Sequence, residues 1–81
     1  MVTKQLKVKD DGLRSKKAGD FVEMTSAFSS SIYLEVDNKR INAKSIIGVL
    51  SLDLNDGDTV NVLVDGSDEQ QAMTDIEEYI G

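Results

Sequence analysis

Asn42-Ala43-Lys44-Ser45-Ile46-Ile47-Gly48-Val49-Leu50-Ser51-Leu52 is the stretch on which the fold turns. Ser45 to Leu52 reads as a short amphipathic helix of about two turns, with Ser45 a candidate cap for the free amides of its first turn. On either side the hydrophobic period changes. Arg40 to Ala43 forms a short strand directly before it. After the turn Asn55-Asp56-Gly57-Asp58, Val60, Val62 and Val64 alternate with Thr59, Asn61 and Asp65. A small helix bracketed by half-buried strands predicts helix packed on sheet.

Working outward, Ile32, Leu34 and Val36 alternate with Tyr33, Glu35 and Asp37, and the turn Asp37-Asn38-Lys39 joins this strand to residues 40–43 as a hairpin. Val2, Leu6 and Val8 alternate with Thr3, Gln5, Lys7 and Lys9 as a first strand, which Asp10-Asp11-Gly12 breaks. From Lys16 to Phe28 the positions Ala18, Phe21, Val22, Thr25 and Phe28 follow helical spacing, with Ser15 as the cap and Ser29-Ser30-Ser31 as the stop. Ser67-Asp68-Glu69-Gln70 reads as a capping box with acids in the positive first turn. It opens a helix whose apolar stripe is Ala72, Met73, Ile76, Tyr79 and Ile80. The order β-α-β-β-α-β-α predicts an α+β fold, one antiparallel sheet with helices on a single face. At 81 residues the chain predicts one domain spanning 1–81.

Composition narrows the chemistry. The chain has no cysteine and no histidine, which removes disulfides, thiolate nucleophiles and nearly all transition-metal sites. Its carboxylates are scattered and lack a calcium-loop spacing, so neither metal nor cofactor is expected. There is no nucleophile paired with a base and no phosphate loop, so an enzyme is not expected either. No apolar run approaches the ~20 residues of a membrane span, and no signal-peptide core is visible, which predicts a cytoplasmic protein. The net charge of −6 argues against nucleic-acid binding. The charge is uneven, however. Residues 1–17 hold six basic side chains against Asp10 and Asp11, whereas the remainder holds three against thirteen acids. A basic pole near residues 14–17 suggests an anion or an acidic partner surface there, while solvated lysines are the plainer reading of Lys4, Lys7 and Lys9.

The segment from Asn42 to Leu52 resembles the N-[AL]-K-S-I-M-G-[VL]-M-S-L signature of HPr, the small phosphocarrier of the bacterial sugar phosphotransferase system. Gly66-Ser67-Asp68-Glu69-Gln70-Gln71-Ala72 is similar to that family's G-x-D-E-x-x-A. The resemblance covers essentially the whole chain. It implies the HPr fold, an open-faced β-sandwich whose four-stranded antiparallel sheet has the order 1-4-2-3 under three helices. The departure lies in Gly12-Leu13-Arg14-Ser15-Lys16-Lys17-Ala18, against the family's G-[IL]-H-A-R-P-A. Arg14 stands where the phosphoryl-accepting histidine is expected. Its guanidinium stays protonated at neutral pH and offers no nucleophilic nitrogen, so the relay step has no acceptor. Two readings of Arg14, with Ser15 and Lys16, stay open: a constitutive anion site, or solvated side chains where a site fell out of use.

The resemblance also implies a second site. Ser45 matches the serine phosphorylated in HPr proteins of Gram-positive type by an ATP-dependent HPr kinase/phosphorylase; an ordinary serine N-cap is the competing reading. Ile46, Ile47 and Leu50 match the apolar patch through which family members dock, unless the helix is buried on most sides. The implied partners are that kinase, a catabolite-control transcription factor and enzyme I. The pattern resembles the histidine-less catabolite-repression branch of the family, some members of which exchange the first strand between subunits, so a monomer or a strand-exchanged dimer is expected. The alternatives are a docking module or relic that is never phosphorylated and, remotely, an acyl carrier protein. The last rests on Gly48-Val49-Leu50-Ser51-Leu52, which is distantly like G-x-D-S-L but lacks the aspartate before the serine.

Overall fold

The structure is a computed structural model that describes residues 1–9 and 16–80, Lys16 by its backbone only. Seven elements follow in the order β1 (Val2–Lys7), α1 (Lys16–Ser26), β2 (Ser31–Val36), β3 (Lys39–Asn42), α2 (Ile46–Ser51), β4 (Thr59–Asp65) and α3 (Glu69–Ile80). The strands form one antiparallel sheet in the order β1-β4-β2-β3. This is the order the signature segments implied, and the sheet removes the helical acyl-carrier alternative.

The two central strands carry the core. Val60, Val62 and Val64 on β4 and Ile32 and Leu34 on β2 are buried, and the register sets Ile32 beside Val64 and Leu34 beside Val62. Period-two alternation directs all five to the face that the helices cover. Ala18, Phe21 and Thr25 of α1 and Ala72, Met73, Ile76 and Ile80 of α3 close that face, as the 3.6-residue period requires. Leu54, which belongs to no element expected from the sequence, is also buried, and so is Val8, one residue past β1. Val8 stays tied to the sheet end: its N–H donates to the Asp58 carbonyl at 2.8 Å and its carbonyl accepts from Gly57 N–H at 2.8 Å.

Lys4 departs from the alternation of β1. It shares the inward face with Val2 and Leu6, opposite Val62, yet its ammonium pairs with the Glu77 carboxylate on α3. An edge strand under the rim of a helix accommodates this, because the aliphatic stem covers apolar surface while the charge reaches outward. Lys4 is therefore paired, not simply solvated.

The start of α3 differs by one residue from the expected capping box. The reciprocal bond is made by Glu69, whose carboxylate accepts from Gly66 N–H at 3.0 Å. Asp68 turns away from its own helix. It accepts from the Ser29 N–H at 2.8 Å, the Ser30 N–H at 2.9 Å and the Ser30 hydroxyl, fastening the α1–β2 connection to the start of α3. The Ser30 hydroxyl, with the two backbone amides, holds the Asp68 carboxyl below its ordinary value. A depressed folded-state pKa gives stability that is fully present above the ordinary carboxylate pKa of about 3.9 and is lost as pH falls through the lower, folded value. Acid titration followed by circular dichroism should therefore show Asp68→Asn with a lower midpoint temperature at pH 7, and with a gap to the parent that narrows below about pH 4. A gap that stays constant to pH 2 would remove Asp68 as the source.

Candidate functional site

The segment that decides the fold also builds the site. Ser45 adopts an extended conformation (φ −105°, ψ 117°) as the N-cap of α2, and its Oγ accepts from Gly48 N–H at 3.2 Å. The side chain is half-buried. Val49 N–H donates to the Ser45 carbonyl at 2.9 Å, the first bond of the helix. Gly48 fits closely: a Cβ there would stand 3.3 Å from Ile41 Cβ, tighter than ordinary van der Waals contact, and 3.4 Å from Ser45 Oγ. The absence of a side chain lets α2 lie close on β3, which turns Val49 wholly into the core.

That orientation decides the other face. Ile47 is 78% exposed, Leu50 45% and Ile46 39%. Three branched apolar side chains on one exposed face of a six-residue helix form a contiguous patch, unlike the singly scattered apolar residues of an ordinary surface. Of the two readings of this helix, the exposed one holds. The far end of α2 is closed by Lys39, whose ammonium donates to the Ser51 carbonyl at 3.3 Å, and by the Ser51 hydroxyl, which donates to the Gly48 carbonyl at 2.6 Å. Leu52 ends the helix, and Asp53 then takes a left-handed conformation (φ 47°) to leave it.

Arg14 and Ser15 lie outside the described residues, as does the Lys16 side chain, so the anion-site reading is carried by sequence alone. What the structure describes is the beginning of α1 just beyond them. The Tyr79 hydroxyl of α3 donates to the Lys17 carbonyl at 2.9 Å, and its ring packs on Phe21 with centroids 5.6 Å apart. Burial, with the Asp20 charge nearby, pushes the Tyr79 phenol up. Among the described residues no group of carboxylates is arranged to hold a metal ion, and no helix is long and apolar enough to cross a membrane.

The fold is thus a four-stranded antiparallel sheet with three helices, a serine-capped second helix and an exposed apolar patch beside that serine. The family model "PTS HPr component phosphorylation site" matches residues 2–81, and the chain belongs to the HPr family. Members of that family are phosphocarriers and regulators rather than enzymes. In sequence the chain is similar to the HPr-like protein Crh of Halalkalibacterium halodurans, 45% identical over 74 residues that cover 90% of this chain and 88% of that one. In structure it is similar to the phosphocarrier protein HPr of Bacillus anthracis, with a TM-score of 0.96 at 33% identity over 99% of this chain and 96% of that one. It is also similar to the catabolite-repression protein Crh of Bacillus subtilis, crystallised as a swapped-domain dimer. There the TM-score is 0.78 at 39% identity, over 91% of this chain and 82% of that one.

Sequence reasoning missed three residues that frame Ser45. The spacing marks Thr25 as an apolar helix position and Lys44 as a signature residue, and Asn42 lies in a strand as expected, but none of the three has a side-chain partner legible from the sequence. Thr25 Oγ1 donates to the Ala43 carbonyl at 2.8 Å, Lys44 Nζ donates to the Phe28 carbonyl at 2.7 Å, and Asn42 Oδ1 accepts from Lys44 N–H at 2.9 Å. Threonine at an apolar helix position was the available signal, since a buried hydroxyl must find a partner.

Proposed function

We propose that this protein is a regulatory, not a phosphoryl-relaying, HPr-like component of the bacterial phosphoenolpyruvate-dependent sugar phosphotransferase system, acting in catabolite repression. The observation that carries the reading is Ser45 at the cap of α2, directly beside the exposed Ile46, Ile47 and Leu50. Similarity to the Crh proteins supports it, and so does a chain without histidine in which Arg14 occupies the family's acceptor position.

In this reading an HPr kinase/phosphorylase uses Ser45 Oγ as the nucleophile. The oxygen bonds to the γ-phosphorus of ATP, the bond from that phosphorus to the β–γ bridging oxygen breaks, ADP leaves, and the hydroxyl proton passes to the kinase's base. The product carries about −1.5 to −2 additional charge at neutral pH next to an apolar docking face. A partner that pairs an apolar pocket with a cation then distinguishes the modified from the unmodified protein, and a catabolite-control transcription factor is the partner we assign. Arg14, Ser15 and Lys16 serve as an anion site for a partner's acidic group, and enzyme I docks without transferring phosphate. The protein works in the cytoplasm, as a monomer or as a strand-exchanged dimer.

Intact-mass spectrometry with site mapping tests this. Incubation with HPr kinase/phosphorylase and ATP is expected to add one phosphate at Ser45 and none to Ser45→Ala. Incubation with enzyme I and phosphoenolpyruvate is expected to add none. A phosphate from enzyme I would overturn the regulatory assignment. If neither reaction adds a phosphate, the docking face alone is in use.

A further inference from the structure

The six residues of α2 are too few to hold themselves in water, because a helix of that length makes few bonds for the torsions it fixes. Its own cap bond, Gly48 N–H to Ser45 Oγ, is long at 3.2 Å. Yet the junction immediately before Ser45 has its polar groups engaged from elsewhere. Ala43 is fully buried; its N–H extends the β2–β3 ladder to the Ile32 carbonyl at 2.9 Å, and its carbonyl accepts from Thr25 Oγ1. Thr25 is also fully buried, on the inward face of α1. Its single proton has the Val22 carbonyl as a second acceptor at 3.1 Å, so the shorter 2.8 Å contact to Ala43 is the one that crosses between elements. One residue later, Lys44 Nζ reaches the Phe28 carbonyl, just past the end of α1. Ser45 N–H then donates to the Asn42 carbonyl at 3.0 Å.

We infer that Thr25, with Lys44, is a positioning residue for Ser45: α1 sets the conformation in which the serine is presented, and α2 inherits it. The inference rests on the reading of Ser45 as a phosphoryl acceptor. Removing the Thr25 hydroxyl leaves the buried Ala43 carbonyl without its donor, and the junction then samples arrangements in which Ser45 does not cap Gly48. A partner that binds only the capped form sees a weaker substrate in proportion to the lost population.

The test compares Thr25→Val, which keeps the shape and removes the hydroxyl, with Thr25→Ser, which restores it, and with Lys44→Met, which keeps the stem and removes the ammonium. Amide hydrogen exchange by NMR is read at Gly48 and, as the global reference, at Leu34 and Val62. In Thr25→Val, Gly48 exchange is expected to accelerate roughly tenfold beyond any change at the reference amides, as local opening requires. The KM for phosphorylation by HPr kinase/phosphorylase with ATP is expected to rise at least about threefold with kcat unchanged. Lys44→Met moves both in the same direction, and Thr25→Ser returns both to the parent values. Gly48 exchange that merely tracks the sheet amides would overturn the inference, because that is the signature of lost stability alone. So would an unchanged KM in a protein whose parent is phosphorylated. A parent that accepts no phosphate sinks the acceptor reading instead, and the exchange measurement still decides whether α1 holds the cap.

Discussion

Replacing Phe21 with alanine is expected to lower the free energy of unfolding by about 3–5 kcal/mol, the range for deleting a buried aromatic ring. For a domain of this size the total is on the order of 4–12 kcal/mol, so the variant sits near the edge of folding. Phe21 is fully buried and is the largest of the side chains that close the core from α1. The loss spreads further than one cavity. The Tyr79 ring packs on Phe21, and the Tyr79 hydroxyl holds the Lys17 carbonyl, so the truncation also loosens the fit of α3 against the first turn of α1. Urea denaturation followed by far-ultraviolet circular dichroism measures the change. A loss below about 1 kcal/mol would mean that the core collapses around the vacancy, which its close-packed strands do not favour.

The second large effect is expected at Gly66, where β4 turns into α3. A Cβ at this position would lie 2.6 Å from Ser30 Cα and 2.6 Å from Ser30 Oγ, with the backbone at φ +157°. The nearest atom belongs to the main chain, so no rotamer change relieves the clash. Ser30 in turn is held by Asp68. Gly66→Ala should therefore cost about 3 kcal/mol, combining overpacking of ~1–3 kcal/mol with an unfavourable backbone region of similar size. Equilibrium unfolding of Gly66→Ala beside Gly57→Ala gives an internal comparison. Gly57 has a positive φ of 92° but open space around its Cβ position, so it reports the backbone contribution alone. Equal losses at the two sites would show that the approach to Ser30 is not tight.

Most of the architecture was legible because it is written in short-range periodicity. The valines at 60, 62 and 64 and the pair Ile32 and Leu34 could face only one way on a half-buried strand, and they form the core as expected. The bounds of the elements moved by one or two residues; α1, for example, ends at Ser26 rather than Phe28. The misreadings concern polar residues whose partners lie far away in sequence. Asp68 looked like a helix-dipole acid and instead holds Ser29 and Ser30. Lys4 looked solvated and pairs with Glu77. Thr25 counted as apolar because its spacing was right, and only the fold reveals the carbonyl that its hydroxyl needs. Of the candidate site, the capping role of Ser45 could be argued from its place before an apolar run. The exposure of Ile46, Ile47 and Leu50 could not, because it depends on which side of α2 the close approach of Gly48 to Ile41 turns inward.

The pairing of β1 with β4 also has a dimension in time. Val2 and Val64 are register partners although most of the chain lies between them. On a ribosome adding ~5–20 residues per second, the first strand waits roughly 3–12 s for its partner to be synthesised. During that interval α1, the β2–β3 hairpin and α2 can already assemble, while Val2 and Leu6 have nothing to cover them. A strand in this position is exposed to whatever other edge is nearby, and lysines along it, here Lys4 and Lys7, make premature association less favourable. Lys4 finds Glu77 only when α3 has emerged. The nascent domain thus gains its first strand only after β4 has been made, and one of the two lysines that shield it in the meantime, Lys4, later ties it down.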